Sequence, residues 1–174
     1  MFCIRGHSQG VGDADSLWLP HEPTLYELTQ AFDARPDLHE VSEIVFCGYG
    51  EPLERAELVV ALAQHIRMRS NKPLRLNTNG LVGLIEPGFD TKKLKLFDTI
   101  SVSLNADTKK GYVEVTRPVF GEKSFDEMLE FAKKMNKLTK VQFTIVETLP
   151  KESQAGCQRI ADEMNIPLLV RTMM

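Results

Sequence analysis

Cysteine is scarce in this sequence and never paired locally. Cys3, Cys47 and Cys157 are odd in number and far apart among 174 residues. That spacing excludes the dense disulfide framework of a small secreted domain and favours reduced thiols. No C-x-x-C, H-x-x-x-H or H-x-E pattern of the kind that builds zinc sites is present. No apolar run approaches the ~18–20 residues of a membrane span, and no cationic-then-apolar leader opens the chain. The expectation is a cytoplasmic protein with no membrane partner. Charge of one sign is also lacking, since 21 Lys and Arg against 24 Asp and Glu leave a net −3. Without a basic block, nucleic acid has no electrostatic support as a partner. Linkers, low-complexity tracts and fixed-period repeats are missing too, so residues 1–174 read as a single domain.

What is present is alternation. Thr24-Leu-Tyr-Glu27, preceded by Pro23, has the form of a capping box. Leu25, Leu28, Ala31 and Phe32 follow at helical spacing, and Pro36 closes the segment. Residues 43–47 then form a short β-rich apolar run without alternation, as a strand covered on both faces reads. The pattern repeats: a helix over 56–68 with Leu58, Leu62, Ala63 and Ile66 on one side, then strand-like residues 73–77. A short helix is predicted over 91–97 and a strand over 99–104. A second capping box is predicted at Ser124–Glu127, opening a helix with Met128, Leu129, Ala132 and Met135. A strand over 141–146, a helix over 154–164 and a last strand over 167–170 complete the series. Strands alternating with helices imply parallel βαβ units of the barrel or doubly wound kind, with five strands in one sheet, in sequence order.

In such a sheet the binding groups collect on loops after the carboxyl ends of the strands. Here those loops are polar and glycine-rich: Gly48-Tyr49-Gly50-Glu51-Pro52, Asn77-Thr78-Asn79-Gly80, Ser103 with Asn105, and Glu147-Thr148. Glycines 48 and 50 permit close backbone approach, and Asn offers a donor and an acceptor to ribose hydroxyls or adenine edges. Such a rim suits a small, polar, nucleoside-like ligand. The bland reading, in which these are ordinary turn and capping residues, competes at each loop taken singly.

Four segments resemble the motifs of the radical S-adenosylmethionine (SAM) superfamily in order and spacing. Phe2-Cys3 matches the aromatic-Cys end of the family's C-x-x-x-C-x-aromatic-C segment. Gly48–Pro52 resembles its Gly-Gly-Glu-Pro segment, with Tyr49 in place of the commonest second glycine. Asn77–Gly80 and Ser101–Asn105 resemble its third- and fourth-strand motifs. The TatD-linked radical SAM group, with F-C-I-R, F-C-G-Y-G-E-P, L-N-T-N-G and S-L-N in this order, is similar over nearly the whole chain.

The resemblance implies an α/β fold, a partial TIM-like (β/α)6 barrel of parallel strands with its first strand missing here. It implies a 4Fe–4S cluster with Cys3 as a ligand. It also implies SAM held by Phe2, Gly48, Tyr49, Gly50, Glu51, Asn77, Asn79, Ser103 and Asn105. The implied activity is reductive cleavage of SAM to methionine and a 5′-deoxyadenosyl radical, which acts on a small-molecule or peptide substrate. A reductant such as flavodoxin or ferredoxin would be the partner. Two of the family's three cysteines would fall before Met1, so the chain as written is expected to bind no stable cluster. The alternative is a non-catalytic, truncated or degenerate barrel that binds a nucleotide-like ligand or a protein partner. An unrelated TIM-barrel lyase or isomerase is weaker still, since no phosphate loop or acid–base pair is recognisable.

Other residues carry less. Cys47 and Cys157 are expected as small core hydrophobes. Arg5, Arg117 and Arg171 are candidates for a carboxylate ligand, with surface ion pairing the better expectation. His7, close to Cys3, is the one histidine with a modest claim on the site, and Glu147 is an even choice between helix-initiating and functional acid.

Overall fold

A computed structural model describes residues 18–172. Five strands, β1 (Ile44–Phe46), β2 (Leu74–Thr78), β3 (Thr99–Ser103), β4 (Lys140–Val146) and β5 (Leu168–Arg171), form one sheet in the order β1-β2-β3-β4-β5. Every neighbouring pair is parallel. Six α-helices connect or precede them: α1 (Leu25–Asp33), α2 (Ala56–Arg67), α3 (Val82–Ile85), α4 (Lys109–Thr116), α5 (Lys123–Met135) and α6 (Lys151–Met164). Two 3-10 turns, Pro52–Arg55 and Thr91–Leu96, lead into α2 and β3.

The two faces of the sheet differ. Side chains alternate along a strand, and the register aligns Phe46 with Leu76, Leu76 with Ile100, Val102 with Phe143, and Phe143 with Leu168. These belong to a single core cluster with Val59, Val60, Ala63 and Ile66 of α2 and Phe125, Met128, Phe131, Ala132 and Met135 of α5. Burying each such side chain contributes roughly 1.5–3 kcal/mol. The other face is polar: Arg75 and Asn77 on β2, Thr99, Ser101 and Ser103 on β3, Gln142 and Thr144 on β4. The expectation of strands covered on both faces holds at Ser101 and Thr144, which are buried, but the cover on this face is polar and only half-buried at Arg75, Asn77 and Gln142. Across the polar face, Gln142 Nε2 donates to Ser101 Oγ at 2.7 Å, and Arg75 donates to both Glu43 oxygens, at 3.1 and 2.7 Å.

Several local expectations change for identifiable reasons. The Thr24 capping box forms: Glu27 N donates to Thr24 Oγ1 and Thr24 N donates to Glu27 Oε2 at 2.8 Å. The second capping box does not. A turn at Pro118–Gly121, with Gly121 at φ +59, starts α5 at Lys123 and leaves Ser124 inside the helix, buried, its hydroxyl without a partner among the described residues. On α2 the buried stripe is Ala56, Val59, Val60, Ala63 and Ile66, with Leu58 and Leu62 only half-buried. Helix α6 begins at Lys151, three residues ahead of the predicted start. Cys47, expected in the core, is exposed, because strand alternation turns it away from the helix-covered face that Phe46 occupies.

Candidate functional site at the carboxyl ends of the strands

Because all five strands run one way, the loops after them share one edge of the sheet. The segment 47–51 follows β1, 79–81 follows β2 and 104–108 follows β3. A Cβ built on Gly48 or Gly50 would meet no atom within 4 Å, so the backbone there is open to an approaching molecule. Tyr49 between them takes an edge-on contact from Trp18, ring centroids 5.5 Å apart. Trp18 was not singled out from the sequence. It lies outside every motif, and only the fold brings its ring to this loop.

The polar side chains of the rim are partly committed to the protein itself. Glu51 turns inward: Oε1 accepts from Leu53 N at 3.0 Å and from the Thr78 hydroxyl at 2.7 Å, while Oε2 accepts from Asn79 N at 2.7 Å. Burial raises its pKa above the ordinary carboxylate value, with the charge of Glu54 adding to the rise and the three donors opposing it. Asn79 Oδ1 accepts from Leu81 N at 2.9 Å, closing the turn ahead of the short helix α3, which has no side-chain cap. Asn77 Oδ1 accepts from Arg75 at 3.1 Å on the polar face. Ser103 ends β3 half-buried.

Asn105 stands apart. It adopts the left-handed conformation, φ +58, and is 8% exposed. Asparagine tolerates this region better than most residues. The turn is fixed by Leu104 N donating to Thr144 O at 3.0 Å and Ala106 N donating to Leu104 O at 2.8 Å. Thr108 then caps α4, accepting from Gly111 N at 3.1 Å.

The described residues do not supply the donor set of an iron–sulfur cluster. No three His, Cys, Asp or Glu among them converge to hold a metal ion. Cys157 is fully buried on α6, its thiol pushed up to about 12 by burial and then by the neighbouring Asp107, the opposite of a thiolate ligand. Cys3 and Phe2, the residues the sequence points to for the cluster and its flank, lie outside the described residues, as do Arg5 and His7. Arg117 caps α4 at φ +49 and is exposed; Arg171 ends β5, also exposed, its carbonyl accepting from Glu147 N at 3.0 Å. Two cavities of about 380 and 540 Å³ lie elsewhere, lined respectively by Leu38, His39 and residues 69–72, and by Gly83, Phe89, Thr91 and the outer side of α5. Neither includes a rim residue.

No helix among the described residues is long and apolar enough to cross a membrane. Compared with protein-family models and with curated protein sequences, the chain matches none.

Proposed function

We propose that this chain is the core of a radical SAM enzyme of the TatD-linked kind, a partial (β/α)6 barrel that binds SAM across the loops after β1, β2 and β3. The observation that carries this reading is one of order. Three segments that resemble the family's motifs, Gly48–Pro52, Asn77–Gly80 and Ser101–Asn105, stand in chain order at the carboxyl ends of three adjacent parallel strands. In this reading Cys3 is one thiolate of a 4Fe–4S cluster, which supplies the electron for reductive cleavage of SAM to methionine and a 5′-deoxyadenosyl radical. The open backbone at Gly48 and Gly50 receives the amino acid end of SAM, and Asn105, whose amide has no hydrogen-bond partner among the described residues, offers that amide to the ribose. A flavodoxin or ferredoxin is the reductant, the compartment is the cytoplasm, and the substrate is a small molecule or peptide.

A second reading, a non-catalytic barrel that binds a nucleotide-like ligand or a protein, is favoured by one observation: no cluster donor set exists among the described residues. Titration of the protein with SAM tests the binding claim, which rests on the rim loops and not on a cluster. Binding that is weakened about tenfold or more by Asn105→Ala, the loss of a specific hydrogen bond to ligand, supports the rim as the SAM site. Unchanged affinity in that variant, or no SAM binding by the parent, contradicts it.

A further inference from the structure

The β1–β2 ladder ends early. Its last paired residues are Phe46 and Leu76, so neither the 48–51 loop nor the 78–80 segment is held to the other by sheet hydrogen bonds. The Glu51 side chain joins them. Glu51 accepts the Thr78 hydroxyl at 2.7 Å and Asn79 N at 2.7 Å across the gap, and Leu53 N at 3.0 Å within its own loop. Thr78 Oγ1 in turn accepts from Gly80 N at 3.0 Å, extending the chain of bonds into the next turn. A Cβ on Gly48 or Gly50 would meet no atom within 4 Å, so their placement follows from their neighbours: Phe46 before them, Tyr49 between them against Trp18, and Glu51 after them.

We propose that Glu51 is a positioning residue whose carboxyl group braces the loops after β1 and β2 into one platform, and that a ligand is held by that platform without touching Glu51. This deepens, and rests on, the reading of the rim as a SAM site. The chemistry of the three donors makes the brace selective for an acid. A carboxylate accepts all three. A neutral carboxylic acid keeps lone pairs for Leu53 N and Asn79 N by directing its proton to Thr78 Oγ1, which reverses the Thr78 bond but leaves both loops joined. A glutamine does not, because its NH2 must face either Leu53 N–H or Asn79 N–H, donor against donor. The titratable groups facing Glu51 among the described residues are Glu54 of its own 3-10 turn and Tyr112 of α4. Neither is positive; burial and Glu54 favour the neutral acid, and the three hydrogen-bond donors favour the carboxylate.

The brace and a direct ligand contact therefore differ in their pH behaviour. A carboxylate that gripped the SAM ammonium would lose affinity on protonation; a brace retains it. The test is SAM titration of the protein between pH 5 and pH 7, with Glu51→Gln, Thr78→Val and Thr78→Ser alongside, plus amide hydrogen exchange at Leu53 and Asn79. We expect parent affinity to vary less than about twofold with pH, and Glu51→Gln to bind about tenfold or more weakly at every pH, as an unpaired buried donor requires. Thr78→Val should fall in between and Thr78→Ser should restore parent affinity. Exchange at Asn79 or Leu53 should accelerate in Glu51→Gln. An affinity that falls steeply with protonation in the parent and is pH-independent in Glu51→Gln overturns the brace in favour of direct contact. If the parent binds no SAM, the SAM reading fails by itself and amide exchange decides the brace: unchanged rates in Glu51→Gln overturn it.

Discussion

At the scale of single residues, Glu51 and Gly80 carry the strongest consequences. Glu51 is buried enough that its folded-state pKa lies above the ordinary 4.5, so the folded chain binds that proton more tightly than the unfolded chain. By linkage, stability from this group is greatest below the unfolded pKa and declines as pH rises through the folded one. Chemical denaturation of parent and Glu51→Gln should show the parent's advantage widening as pH falls towards 4.5 and constant well above the folded pKa. An advantage that shrinks on acidification would contradict that sign. Replacing the acid by Gln at neutral pH should destabilise by about 1–3 kcal/mol, the cost of one buried donor left unpaired. Gly80 sits at φ +75, with the Phe131 ring 3.2 Å and Met128 Cα 3.4 Å from where a Cβ would lie. Gly80→Ala should cost about 1–2 kcal/mol from backbone conformation alone, read as a lowered denaturation midpoint with unchanged m-value. From the sequence, Glu51 stands in the site through the family resemblance and Gly80 only within the Asn77–Gly80 segment. The bonds of Glu51 to Thr78 and Asn79 were not legible, because those partners are remote along the chain and no pattern of residue types announces that closure.

Among the elements, legibility followed apolar content. The five strands were readable because each is a short β-rich segment with apolar residues between turn residues, and parallel order followed from the helices between them. Helix α4 was not, since Lys109–Thr116 is mostly polar and has Gly111 inside it; the signal that betrays it is Thr108, whose hydroxyl caps Gly111 N. The polar face of the sheet was missed because β-rich residues such as Thr99, Ser101 and Thr144 blur into the same runs. One close approach between elements was equally invisible. Gly156 of α6 lies against Asp107 of the loop after β3, so that a Cβ there would overlap the Asp107 side chain. Gly156→Ala should therefore destabilise by about 1–3 kcal/mol through overpacking, despite alanine's better helix propensity. Asp107→Gly should suppress that loss in the double variant, measured by a double-mutant cycle. Additive effects would show that the two do not meet.

For the whole molecule, the sheet divides labour between its faces and its ends. One face, with α2, α5 and α6, makes the core; the other carries polar pairs such as Arg75–Glu43 and Gln142–Ser101. The carboxyl ends gather Gly48, Gly50, Asn77, Asn79, Ser103 and Asn105 on one edge, while the opposite ends are tied by ordinary structural bonds such as Arg67 and Leu74 N donating to Asp98, at 2.6 and 2.7 Å. Burial opposes ionisation of Asp98, but these donors outweigh it and hold its pKa below the usual range. Its contribution to stability is thus present above the unfolded pKa and lost as pH falls through the folded one. Asp98→Asn should flatten that acid limb of the stability profile; an unchanged limb would count against the pairing. The motif order along the chain pointed to SAM chemistry, and the fold is compatible with it in topology. The most direct measurement is 5′-deoxyadenosine released after anaerobic iron–sulfide reconstitution, with dithionite and SAM added. It is made on this chain and on a form with two cysteines added ahead of Met1 at the C-x-x-x-C-x-aromatic-C spacing. The radical SAM proposal predicts 5′-deoxyadenosine from the form that supplies Cys3 with two further thiolates, and none from the chain with Cys3 alone. A three-cysteine form that takes up iron and sulfide yet releases no 5′-deoxyadenosine would contradict it.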